Sequence, residues 1–267
     1  MRDLMTAFFD LHHGLPRQGV GSDATTRRLL ELAGPLPARP RALDLGCGPG
    51  RSALLLAAEA GAHVTAVDLH RPFLAELAAA AERRGLTGAI DPVNASMADL
   101  PFPDGSFDVI WCEGAAYLIG FDTALRTWKR LLAPGGVLVV THCEWATSSP
   151  SAEAREFWAE VPLRYTAGNL AAAREAGYTV TAVHTLPDSD WFDEYYTPLG
   201  ARLDLTDTSD PAMAKAVAAT RREIGLRQRH GGDYQYSGYV LRRAEDEQLR
   251  RRLAVPGSDR AAKYPPH

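Results

Sequence analysis

Long apolar runs are missing from this sequence: no window approaches the about 20 uninterrupted apolar residues of a membrane-spanning helix, so no membrane association is expected. Met1 to Asp10 also lacks the basic start and extended apolar core of a secretory signal. Cysteine is scarce. Cys47, Cys112 and Cys143 are too few and too far apart for a disulfide framework or a zinc knuckle, which points to a reducing, cytoplasmic setting. A surplus of positive charge is absent as well: 29 Lys and Arg face 33 Asp and Glu, a formal net charge of -4, so nucleic acid is not an expected partner. Neither a repeat nor a low-complexity block is visible, and no His or carboxylate cluster at ligand spacing calls for a metal.

What remains is ordinary globular usage, 46% hydrophobic and 23% charged over 267 residues, enough for one large domain with a modest cap. Short β-branched runs alternate with helical segments, the mark of an α/β parallel sheet covered on both faces. The expected strands are Arg41–Leu45, His63–Asp68, about Ile90–Ala95, Phe107–Cys112, Val137–Thr141, Tyr178–Thr185 and Tyr234–Arg242. Expected helices include Gly50–Ala60, Arg71–Arg84 and Thr123–Leu132, the last broken by Pro134-Gly135-Gly136. Nearly fifty residues separate the last two strands, where a hairpin needs only a few. Residues 186–233 are therefore read as a helical cap, residues 1–40 as an N-terminal lid, 41–243 as the main domain and 244–267 as a flexible tail.

The sharpest signal is Leu43-Asp44-Leu45-Gly46-Cys47-Gly48-Pro49-Gly50, where a strand hands over to a helix. Gly46, Gly48 and Gly50 let the backbone turn tightly and approach a ligand, and the following helix presents free N–H groups. Asp68 closes the next strand, where a doubly wound sheet places the acid that accepts from ribose hydroxyls. The glycine spacing is G-x-G-x-G rather than the dinucleotide G-x-G-x-x-G, and Asp44 would repel a pyrophosphate while suiting an ammonium group. That chemistry points to S-adenosylmethionine and argues against a nicotinamide dehydrogenase.

Leu43 to Gly50, Asp68, the run Ser96 to Asp108 and Leu131-Leu132-Ala133-Pro134-Gly135-Gly136 resemble class I S-adenosylmethionine-dependent methyltransferases, the ubiquinone/menaquinone C-methyltransferase-like branch in particular. The resemblance implies a Rossmann-like, doubly wound, seven-stranded sheet with the last strand antiparallel. It also implies that Gly46, Cys47, Gly48 and Gly50 border the methionine part of the cofactor and that Asp68 binds its ribose. Asp99, with Met97 and Ala98, would meet the adenine, Met97 or Leu69 flanking the ring.

In the N-terminal segment, Arg17 or Gln18 is placed to bind the cofactor carboxylate, and His12 belongs to the substrate side. After the fourth strand, Glu113 is a candidate general base or cofactor contact, beside Tyr117. At the end of the fifth, His142 is a second candidate base, followed by Glu144 and Trp145. The cap adds Trp191, Tyr195 and Tyr196, either a box for a flat or cationic substrate or the cap's apolar underside. The expected reaction is in-line methyl transfer to O, N or C of a small molecule. A non-catalytic cofactor-binding regulator, a nucleic-acid or protein methyltransferase, and a homodimer stay open.

Overall fold

Apolar residues at consecutive positions, rather than alternate ones, mark strands buried on both faces. A computed structural model, which describes residues 3–245, has its elements in the order α1 (Leu4–His12), α2 (Asp23–Ala33), β1 (Arg41–Leu45), α3 (Arg51–Ala60), β2 (His63–Asp68), α4 (Arg71–Arg83), β3 (Ile90–Asn94), β4 (Phe107–Cys112), α5 (Phe121–Trp128), β5 (Leu132–Trp145), α6 (Ala152–Phe157), α7 (Thr166–Glu175), β6 (Tyr178–Thr185), α8 (Ser189–Trp191), α9 (Thr197–Leu205), α10 (Pro211–His230) and β7 (Tyr234–Arg243), and of the strands β1, β4, β5 and β7 are the most deeply buried. The seven strands form one sheet ordered β3-β2-β1-β4-β5-β7-β6, with β7 antiparallel to both neighbours. The doubly wound α/β expectation holds.

Each central strand feeds two cores by turns. In β5, Leu138 and Val140 pack with Phe121, Leu125 and Trp128 of α5 on one face. Val137 and Val139 pack with α2, α3 and α4 on the other. A third core lies beyond the carboxyl end of β5, where α1, α9, α10 and the start of β7 enclose Cys143, Trp191 and Tyr195. Asp210 starts α10 by accepting from the N–H groups of Ala212 and Met213 at 3.0 and 2.9 Å.

The largest departures from the expected bounds are at α5 and β5. The helix expected over Thr123–Leu132 ends at Trp128, and Lys129–Leu131 form one tight 3₁₀ turn. Leu132 instead pairs with Phe107, so Pro134-Gly135-Gly136 lies inside β5 as an irregularity, with Gly135 at φ 76°. At its other end β5 runs on to Trp145 because β7 pairs with it as far as Tyr234. The expected tail falls almost wholly outside the described residues; within them, the Ala244 N–H donates to the Gly177 carbonyl.

Candidate active site

The loop after β1 is tightened by its neighbours. Gly46 and Cys47 donate to the Val67 carbonyl at 2.9 and 3.1 Å, and Gly48 donates to Asp68 Oδ2 at 2.9 Å. Asp68 Oδ1 accepts from the His70 N–H at 2.8 Å, so this acid sits where loop, β2 and α4 meet. A Cβ on Gly50 (φ 83°) would lie 2.1 Å from Leu77 Cδ1, and one on Gly46 (φ 66°) 2.4 Å from Ala115 Cβ. Only glycine fits at these two positions. The helix that follows, α3, begins without a side-chain cap.

Asp44 is 1% exposed and its Oδ2 has no partner. Burial, aided by Glu113 and Asp68, pushes its carboxyl well above the usual range. Gln18 reaches across from the N-terminal segment: its amide nitrogen donates to the His12 and Leu15 carbonyls, and its Oε1 lies 3.9 Å from where a Gly48 Cβ would stand. Met97 Cε comes within 3.1 Å of the same point on Gly46, while Leu69, Ala98 and Asp99 are exposed at the rim.

Glu113 is bound rather than free. Its Oε1 accepts from Trp111 Nε1 at 2.9 Å and Thr26 Oγ1 at 2.8 Å, and its Oε2 from Arg17 at 3.2 Å. Arg17 in turn donates to Glu194 and Asp23, so all three guanidinium nitrogens serve carboxylates of the protein. In this arrangement Glu113 anchors the N-terminal segment instead of standing ready as a base, and Arg17 offers no open fork to a cofactor carboxylate.

Helix α1 clasps the start of α4, next to Asp68. Phe9 stacks on His70 with centroids 4.0 Å apart, His13 Nε2 lies 2.9 Å from His70 Nε2, and His13 Nδ1 bonds Glu76. Burial and His13 lower the His70 pKa.

Beyond the loop opens a cavity of about 550 Å³, bordered by Gln18, Gly114, Phe73 and by aromatic groups of α1, β7 and the cap. His12, Tyr117, His142, Trp191 and Tyr195 all border it. Glu144, Trp145 and Tyr196 do not. Both His142 and Cys143 of β5 border the cavity, whereas Glu144 is taken up by α7 and β7, where Thr166, Asn169, Gln235, Ser237 and Tyr239 all donate to its buried carboxylate. Burial raises its pKa, and those hydrogen bonds outweigh it to leave the pKa lowered. Tyr196 instead donates to Glu223 at 2.7 Å. His142 stacks on Phe121 at 4.4 Å, and burial pushes its pKa down to about 4, so it is neutral near pH 7 and does not titrate there as expected.

The sequence reading passed over Thr220 and Glu223 of α10, both on the cavity wall. The signal was an acid in register with the buried stripe Met213, Ala216, Val217 and Thr220, four and three residues apart. Thr220 Oγ1 and the indole N–H groups of Trp158 and Trp191, also on this wall, have no partner among the described residues. No group of three His, Cys, Asp or Glu in the described residues is placed to hold a metal ion. No helix there is long and apolar enough to cross a membrane.

Residues 43–140 match the family profile of the methyltransferase domain. This segment, a little over a third of the chain, is similar to methyltransferase domains. A demethylmenaquinone methyltransferase of Thermus thermophilus is 42% identical over 117 residues, 43% of this chain and 51% of that protein. A 27-O-demethylrifamycin SV methyltransferase of Amycolatopsis mediterranei is 32% identical over 136 residues, 49% of this chain and 50% of that protein. The chain thus spans about half the length of the curated relatives it matches. A solved S-adenosylmethionine-dependent methyltransferase from Geobacter sulfurreducens, in complex with S-adenosyl-L-homocysteine, superposes with a TM-score of 0.75 at 19% identity, covering 91% of this chain and all of that one. The methyltransferase domain contributes Phe73, Gly114, Tyr117 and Leu118 to the cavity, and the rest of the wall comes from outside residues 43–140.

Proposed function

We propose that the chain is an S-adenosylmethionine-dependent methyltransferase whose acceptor is a small molecule bound in the aromatic cavity. The observation that carries this reading is the pairing of two sites: Gln18 borders both the glycine loop and the cavity. Asp68 would hold the ribose and the glycine loop the methionine part, with Met97 and Asp99 at the adenine. Asp44, with its unpartnered buried oxygen, fits a cationic group at that loop. When bound, the cofactor supplies an electrophilic methyl group on a sulfonium.

The chain's own part is chiefly placement. The cavity wall holds the acceptor and excludes water, so proximity and orientation supply most of the rate. His142, neutral and buried, can accept a hydrogen bond from an acceptor hydroxyl or amine without carrying charge. Residues 1–40 act as the lid and 186–233 as the cap that give the site its walls. Three buried free thiols fit a cytoplasmic setting.

The test is incubation of host extracts with the protein and S-adenosylmethionine carrying a trideuterated methyl, read by mass spectrometry against Asp68→Ala. A labelled small metabolite missing from the control supports the reading. Label on protein or nucleic acid moves the acceptor to macromolecules, and S-adenosylhomocysteine binding with no label anywhere favours a regulator.

A further inference from the structure

We propose that the cavity takes a ligand bearing a protonated amine, recognised by the Glu223 carboxylate inside a wall of aromatic faces. The proposal rests on the methyl-transfer reading for the ligand's role as acceptor and names its class.

Glu223 borders the cavity, and Tyr196 is its one hydrogen-bond partner among the described residues, at 2.7 Å. No Lys or Arg borders the cavity. Its two histidines do not supply a counter-charge either, because burial lowers the pKa of both His12 and His142. The groups that face Glu223 are Tyr195 and Tyr196 of the cap, Tyr117 after β4, Cys143 of β5, and Tyr234 and Tyr236 of β7. Burial raises every one of these phenols and the thiol, so all are neutral at pH 7. A carboxylate enclosed in this way needs a cation to be ionised, and burial accordingly raises its pKa.

The surrounding wall suits a cation. Trp158, Trp191, Tyr195 and Tyr236 border the cavity, and ring faces attract ammonium groups. One such interaction is already built here: Arg227, neutralised by Asp188, lies 4.0 Å over the Trp191 ring and 5.3 Å over Tyr234. The volume of about 550 Å³ leaves room for an apolar body attached to the ammonium group. The sequence alone left Trp191, Tyr195 and Tyr196 between an aromatic box and packing; all three belong to the third core, Trp191 and Tyr195 also border the cavity beside Glu223, and Tyr196 positions the acid.

Calorimetric titration of the whole protein with 4-phenylbutylamine and with its neutral counterpart 4-phenylbutan-1-ol tests this directly. At pH 7.5 the amine, which is protonated, is expected to bind at least tenfold tighter than the alcohol. Glu223→Gln should abolish that preference while leaving alcohol binding within about twofold. In the unaltered protein, lowering the pH through the Glu223 titration should weaken amine binding and spare the alcohol, which keeps the test sound if the variant fails to fold. Equal or tighter binding of the alcohol, a preference that survives Glu223→Gln, or no binding of either probe overturns the proposal. S-adenosylhomocysteine titrated into the same samples reports on the other site: its binding without an amine preference sinks this proposal alone, and its failure to bind sinks the methyl-transfer reading instead.

Discussion

A carboxyl such as Asp44, buried beside Glu113 and Asp68 with one oxygen unpartnered, costs the fold stability. Asp44→Asn is expected to raise the unfolding free energy by about 1 kcal/mol while weakening S-adenosylhomocysteine binding at least tenfold, measured by urea unfolding and calorimetry. Glu144 is the opposite case, an acid with five donors. Its folded pKa lies below that of the unfolded chain, so its contribution is complete above about pH 4.5 and fades as the pH falls through the folded value. Glu144→Gln should lower stability by about 1–3 kcal/mol at pH 7 and flatten the stability profile below pH 4.5; an unchanged acid limb in urea titrations would refute it. Position near the end of β5 made Glu144 readable as a site residue, but its donors come from α7 and β7, far along the chain, and no motif encodes that. Glu223 went unseen for a related reason, since an acid on α10 looks solvent-facing until the packed face of the helix is known.

Whole elements were more legible. β1, β2, β4 and β6 announce themselves as apolar or β-branched runs, and their bounds coincide with expectation. The length of β5 was not readable, because it is set by its distant partner β7 rather than by local pattern. The junction from β1 to α3 should be intolerant of change: Gly50→Ala combines a left-handed backbone with a collision against the buried Leu77, and about 2–4 kcal/mol of stability should be lost in thermal or urea melts. The clasp of α1 on α4 should loosen with acid. The pKa of His70 is lowered when folded, with His13, Asp68, Asp10 and Glu76 around it, so protons favour the open arrangement as the pH falls below about 6.5. Hydrogen-exchange protection at residues 4–12, taken relative to the intrinsic rate at each pH, should fall between pH 7 and 5.5, and His70→Phe, which keeps the ring stack, should remove that dependence.

At the scale of the molecule, Cys47, Cys112 and Cys143 are all buried and burial raises each thiol. An aromatic disulfide reagent is expected to find no reactive thiol in the native protein and all 3 after denaturation; fast native labelling would contradict the packing. The fold also spreads its features unevenly along the chain, with the glycine loop and the acids around it gathered before residue 115 and most of the cavity wall outside the matched segment. Only the first of these was written in short motifs.

The place of β7 between β5 and β6 sets an order in time. On the ribosome β5 is finished at Trp145, yet the neighbour that covers its open edge ends only at Arg243, about a hundred residues later. At the typical about 5–20 residues per second of synthesis, that edge waits roughly 5–20 s. β6 emerges meanwhile with nothing to pair with, since β7 is its sole strand partner among the described residues. A chain cut short anywhere before Tyr234 would therefore carry a fully apolar Val137–Val140 edge with nothing to close it, the condition under which nascent proteins pair with each other instead of with themselves.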